Sequence, residues 1–170
     1  MATDATADRS DTGDLAVRSV PVDLVPVVAR AIEANAPYAA GLGVRFELER
    51  APASAEVLAD RGRVEQVLAN LLSNAAKHSP AGEAVTVAID EAGAGFRVSV
   101  RDRGPGVPEA FRARIFQRYA QAEGQNAAGT SGLGLHIAKR LVEKMGGAIG
   151  FEAAEGGGAR FHFDLPRATP

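Results

Sequence analysis

Glycine gathers at three places in this chain: Asp102-Arg103-Gly104-Pro105-Gly106, then Gly129-Thr130-Ser131-Gly132-Leu133-Gly134-Leu135, then Gly156-Gly157-Gly158. Without a Cβ, glycine lets backbone amides come close to a ligand or to another strand. An amphipathic helical pattern begins directly after the second cluster, and a helix start adds a positive dipole end. Upstream, Asn70, Asn74 and Lys77 recur at helical spacing, a set able to supply a metal ligand and a phosphate clamp. Together these features read as a nucleotide site.

The segments between the clusters are patterned. Asp60 is placed to cap a helix running to about His78. Its Val64, Val67, Leu68, Leu71, Leu72 and Ala75 follow the three-and-four spacing of a buried stripe. At roughly 100° per residue, the Asn70, Asn74 and Lys77 stripe lies on a different face. Asp23 caps an earlier helix through Leu24, Val28, Ile32 and Ala36, with Pro26 in its first turn and Pro37 near its end as a candidate kink. Leu15, Val17 and Val20 alternate as a short strand, as do Val44, Phe46 and Leu48, and Glu56 to Ala59 is another strand. Val85, Val87, Ile89 and Phe96, Val98, Val100 make a hairpin about Gly93 to Gly95, and its second arm runs into Asp102. Pro108 opens a short helical stretch with Phe111, Ile115 and Phe116. A helix spans Leu133 to Met145 and stops at Gly146-Gly147; Ile149-Phe151 and Phe161-Leu165 are the last strands. Residues 120 to 131 lack large apolar side chains and read as a mobile loop. The pattern predicts an α+β two-layer sandwich: a mixed, mostly antiparallel sheet with about three helices on one face.

Bulk properties narrow the function. A chain of 170 residues suits one domain, residues 15 to 170, preceded by a polar tail over 1 to 14 that is expected to be disordered. A net charge of −2 offers no basic field for nucleic acid. With no cysteine there are no disulfides or thiolate metal sites, which fits the cytoplasm. No apolar run is long enough to span a bilayer.

Taken singly, each chemical feature has an ordinary reading. Asn74 and Lys77 can be the solvated side of a helix, Asp102 an acidic turn residue, and Gly129 to Gly134 a flexible linker. The alternative is chemical. One neutral carbonyl oxygen on Asn74, completed by phosphates and water, suits Mg²⁺. A lysine one turn on suits phosphate. A carboxylate at a strand end suits an exocyclic amine such as that of adenine. The second glycine cluster is neither a dinucleotide fingerprint, since no parallel βαβ strand precedes it, nor a Walker loop, since no lysine follows it. Arg118 and Gln121 border the loop, either as surface residues or as groups that meet a terminal phosphate. His78, His136 and His162 have no metal-ligand spacing.

Joined in order, the segments resemble the ATP-binding catalytic domain of sensor histidine kinases, within the superfamily shared with gyrase, heat-shock chaperones and mismatch-repair ATPases. Asn70-Leu71-Leu72-Ser73-Asn74-Ala75-Ala76-Lys77-His78 resembles the asparagine box, and Asp102 to Gly106 the first glycine box. Ile115 to Tyr119 resembles the phenylalanine box, Gly129 to Leu135 the second glycine box, and Gly158 to Phe161 the closing segment. The resemblance implies a Bergerat-type fold with a flexible lid over ATP. Asn74 would hold Mg²⁺ and Asn70 would line the same site; Lys77 would contact phosphate, with His78 beside it. Asp102 would bind the adenine amine, in a pocket shaped by Gly104, Gly106, Val107, Ile115 and Phe116. Thr130, Ser131, Gly132, Leu133, Gly134 and Leu135 would form the lid hinge and phosphate contacts.

Two departures qualify the match. Gln117-Arg118-Tyr119 stands where the family usually reads Glu-Arg-Phe, and Gln121 stands where many members carry an arginine for the γ-phosphate, which leaves Arg118 the nearest candidate for the catalytic cation. No histidine here has a phosphoacceptor context and no helical hairpin precedes residue 23. The implied activity is γ-phosphoryl transfer from Mg·ATP to a histidine on a separate or truncated helical-hairpin domain, with a response regulator downstream. Since the family dimerises through that hairpin, a monomer is expected. The alternatives are a regulatory ATP- or partner-binding module and a serine kinase of the anti-sigma type; the latter places a glutamate where this chain has Asn70.

Overall fold

A computed structural model describes residues 15–117 and 134–168. A five-stranded sheet in the order β2-β4-β5-β7-β6 forms one layer. Its strands are β2 (Arg45–Arg50), β4 (Ala84–Ala92), β5 (Gly95–Arg101), β6 (Ala148–Ala153) and β7 (Ala159–Pro166). All neighbours are antiparallel except β2 and β4, which run parallel. Helices α1 (Leu24–Gly41), α2 (Arg61–His78) and α3 (Gly134–Lys144) make the second layer, and β1 (Val20–Asp23) pairs with β3 (Glu56–Ala59) in a separate ribbon. The predicted α+β architecture is the one observed.

The helices form where their caps and stripes put them. Asp60 accepts from the Arg63 amide at 3.3 Å and starts α2, and all six residues of the predicted apolar stripe are buried. Opposite them the sheet buries Val85, Val87, Ile89, Val98, Val100, Phe161, Phe163 and Leu165. The other sheet face carries ion pairs: Arg50 pairs with Asp90 at 2.7 Å and Arg97 with Asp164 at 2.7 Å. Core burial, at about 1.5–3 kcal/mol per large aliphatic side chain, outweighs such solvent-exposed pairs.

Three expectations need correction. The first strand begins at Val20, and Leu15 and Val17 lie before it. β3 has four residues, registered from Val20↔Ala59 to Asp23↔Glu56, so it offers no partner further upstream. The upstream segment is instead tied to α2, through Arg18 N–H to Asp60 Oδ2 at 2.9 Å and Arg63 Nε to the Ala16 carbonyl at 2.9 Å. Helix α1 runs past Ala36 and carries Pro37 inside it, ending at Gly41. β2 alternates less cleanly than its sequence, with Leu48 39% exposed, because it lies at the sheet edge. The tail over 1–14, the start of the last helix at Leu133 and the loop over 120–131 lie outside the described residues.

Candidate functional site

Helix α2 brings its second stripe to the surface beside the core. Asn70, Asn74, Lys77 and His78 are all half-buried, one to two turns apart along one side. Lys77 and His78 fall in the last turn, where the helix dipole favours cations. The Asn70 side chain is already committed at one end: its Nδ2 donates to the Gly134 carbonyl at 3.0 Å. This bond joins the middle of α2 to the first residue of α3.

Asp102 continues β5 and is 2% exposed. Its amide donates to the Ala159 carbonyl at 2.9 Å. Its Oδ1 accepts from the Gly104 amide at 2.9 Å and from the Ala159 amide at 3.1 Å. Both amides meet the same carboxylate oxygen, Oδ1. A buried carboxylate held by backbone amides is fixed in place before any ligand arrives.

The glycines around Asp102 are explained by contact. A Cβ at Gly104 would run into the His78 carbonyl oxygen, so this residue lets the Asp102 turn press against the end of α2. Gly158 has φ +84°, and a Cβ there would run into the Asp102 carbonyl. Gly106 lies on the same side, its Cβ position 3.6 Å from the Gly158 carbonyl oxygen. The first and third glycine clusters therefore meet around one aspartate. Arg101 holds the third cluster from behind: its Nη2 donates to the Glu155 carbonyl and, at 3.1 Å, to the Gly157 carbonyl. Desolvation, then repulsion from Arg103 and Arg160, pushes the Arg101 guanidinium below its ordinary pKa.

Val107, Ile115, Phe116, Gly134 and Leu135 are half-buried, and all but Gly134 pack on the core. Phe116 meets Phe161 edge-on, with ring centres 6.1 Å apart, and Phe161 stacks on Phe151 at 5.6 Å. A cleft of about 570 Å³ lined by Phe116, Gln117, His136, Lys139, Arg140, Glu143 and Lys144 shares only Phe116 with the predicted set. The convergence of Asp102 with three glycines points more strongly to chemistry than that cleft does. Arg118, Gln121, Thr130, Ser131, Gly132 and Leu133 lie outside the described residues.

Sequence reading did not single out Ser79, Arg101 or the Ala159 amide. Ser79 caps α2, is 8% exposed, and accepts from the Arg103 amide at 2.9 Å. A polar residue directly after a helix was a visible signal for Ser79. Backbone amides leave none.

Among the described residues no helix is long and apolar enough to cross a membrane. The chain is 33% identical over 157 residues to the swarming motility regulation sensor protein RssA of Serratia marcescens, covering 91% of this chain and 33% of that protein. It is 46% identical over 114 residues to the sensor histidine kinase AruS of Pseudomonas aeruginosa, covering 62% of this chain and 11% of AruS. It is 31% identical over 159 residues to the adaptive-response sensory kinase SasA of a Synechococcus strain, covering 93% of this chain and 42% of that kinase. The chain thus spans less than half the length of these relatives. Full-length ShkA, solved in complex with AMPPNP, superposes with a TM-score of 0.80 at 35% identity, over 96% of this chain and 34% of ShkA. The mycobacterial sensor histidine kinase MprB superposes with a TM-score of 0.77 at 30% identity, over 89% of this chain and 100% of the MprB chain. The family model for histidine kinase-, DNA gyrase B- and HSP90-like ATPases matches residues 59–169, and the chain belongs to that family.

Proposed function

We propose that this chain is the catalytic ATP-binding part of a cytoplasmic sensor histidine kinase, residues 15 to 170 forming one domain. It delivers the γ-phosphoryl group of Mg·ATP to a histidine on a helical-hairpin domain, from which a response regulator is served. The observation that carries this reading is Asp102. It is buried, its Oδ1 is occupied by two backbone amides, and it lies against the end of the helix that bears Asn74 and Lys77.

Each residue then has one task. Asp102 Oδ2 accepts the adenine amino group, while Gly104, Gly106 and Val107 admit the flat base. Lys77 steadies the phosphates as a point charge, with His78 beside it. The donor present suits magnesium, because half-buried Asn74 offers one hard neutral oxygen to an ion whose other ligands would be phosphate oxygens and water. Bound there, the ion would neutralise charge on the β- and γ-phosphates. Asn70, through Gly134, holds the start of α3 where the phosphates end. Arg118 or Gln121, with Thr130 to Leu135, would contact the γ-phosphate. The acceptor imidazole supplies its own lone pair. A nitrogen–phosphorus bond forms as the bond from phosphorus to the bridging oxygen breaks, ADP leaves, and the imidazole releases its remaining N–H proton.

No general base is required of this chain, and Asn70 is not one. Glu65, the nearby carboxylate, is engaged with Arg61 at 3.5 Å. Both facts favour histidine phosphorylation over water activation or a serine kinase of the anti-sigma type. Calorimetric titration of Mg·ATP, followed by trans-phosphorylation of a separate histidine-bearing hairpin, tests the reading. Binding with transfer is expected; no binding at millimolar ATP would sink it.

A further inference from the structure

Base and phosphates belong to one ligand, so two subsites cooperate only when their spacing is fixed. Here the base subsite hangs from β5 and the phosphate subsite rides on α2. The two meet at Ser79. Its backbone is extended (φ −93°, ψ 142°), its amide returns to the Ala76 carbonyl at 3.4 Å, and its hydroxyl reaches across to the Arg103 amide at 2.9 Å. One residue before it, the His78 carbonyl lies so close to Gly104 that no Cβ fits between them. The peptide His78-Ser79 and the peptide Arg103-Gly104 are thus laid edge to edge, and the hydroxyl of Ser79 pins them. Lys77 and Asp102 flank this junction directly.

We infer that Ser79 is a positioning residue that sets the register between the base and phosphate subsites, an inference that rests on Mg·ATP being the ligand. It touches neither the base nor the phosphates in this arrangement; it acts through Arg103 and through the end of α2. Slack at such a joint costs a ligand that spans it more than it costs either half alone, because the second contact is intramolecular only when the geometry matches.

The test compares ATP, adenosine and tripolyphosphate, each with Mg²⁺, on wild type, Ser79→Ala and Ser79→Thr, well below the unfolding temperature. Loss of one hydrogen bond predicts about tenfold weaker ATP binding in Ser79→Ala. Adenosine and tripolyphosphate each change less than about threefold, and Ser79→Thr, which keeps the hydroxyl on an extended backbone suited to β-branched residues, stays within about threefold of wild type. ATP binding by Ser79→Ala within about twofold of wild type overturns the inference alone. So does an equal loss for adenosine and ATP, or a Ser79→Thr as weak as Ser79→Ala. No ATP binding by the wild type overturns the underlying site reading and this inference together. Should Ser79→Ala fail to fold, hydrogen exchange of the Arg103 amide in the wild type decides: slow exchange supports the pin, exchange at the rate of an open amide removes it.

Discussion

Asp102 and Asn74 are proposed to serve one ligand, yet the molecule holds them in opposite ways. Asp102 is 2% exposed, and its carboxylate and amide are tied to Gly104 and Ala159 by backbone bonds. Asn74 is a half-buried side chain on one helix face, beside the equally half-buried Lys77. The base end is built into the fold, so altering it disturbs structure and binding together. The phosphate end is laid on the fold, so altering it changes binding and chemistry while the core stays intact. Preorganised polar groups suit recognition of a rigid flat base, whereas phosphates and a metal bring their own ligands and tolerate adjustable side chains.

The sharpest way to break this comparison is Asp102→Ala. It removes a charged acceptor and leaves the Gly104 and Ala159 amides short of a partner, each costing about 1–3 kcal/mol. Nucleotide affinity is expected to fall more than about a hundredfold, with the thermal midpoint falling too. An Asp102→Ala protein as stable as wild type would show that the base end is not built into the fold. Gly158→Ala attacks the same wall from the other side. Its φ of +84° and the collision with the Asp102 carbonyl predict a loss of about 1–3 kcal/mol, read as a shifted denaturant midpoint.

The opposite end gives the opposite signature. Asn74→Ala and Lys77→Ala, at half-buried positions outside the apolar stripe, should each cost less stability than Asp102→Ala. Adenosine binding should be unchanged in both. Asn74→Ala should lose the magnesium dependence of ATP binding, and both should cut phosphoryl transfer at least about tenfold. Equal losses of adenosine and ATP binding in Asn74→Ala would erase the distinction between the two ends.

The same contrast explains what the sequence made legible. The α2 stripe from Val64 to Ala75 was readable because helical period forces buried side chains into a repeating pattern, and the caps Asp23 and Asp60 were readable because N-capping uses few residue types. The parallel pairing of β2 with β4 was not, because partner and direction depend on contacts distant in sequence. At the proposed site, the side chains assigned to the phosphate end stand out by their spacing. The machinery that fixes Asp102 does not: Ser79 lies 24 residues from Arg103, Arg101 acts on carbonyls 54 and 56 residues away, and Ala159 contributes its backbone amide. Contacts made by backbone groups leave no residue-type signature beyond the glycine spacing, and Ser79 left only that of a polar residue after a helix.

A third region, the open face of the sheet, supplies the smallest expected effect and a control for both ends. His162 on β7 stands opposite Ser99 on β5 and Gly150 on β6, with its ring Cε1 3.2 Å from where a Cβ of Gly150 would be. Burial, then the Arg97 guanidinium, holds its pKa below the ordinary 6.5, while Asp164 and Glu152 pull the other way. Well above pH 6.5 the ring is neutral in folded and unfolded chains alike, so there it adds no pH dependence. As pH falls through 6.5 the unfolded chain takes up the proton first, so stability declines until pH passes the lower folded value, and then this contribution levels off. The loss is small because the ring is only half-buried and solvent screens it. His162→Gln should flatten this part of the thermal midpoint's fall between pH 7.5 and 5 while leaving ATP affinity at pH 7.5 unchanged. An unaltered slope would assign the fall to other groups. A change in ATP affinity would mean that the open face communicates with the nucleotide end, and the sharp division between a built-in base site and a laid-on phosphate site would need a third member.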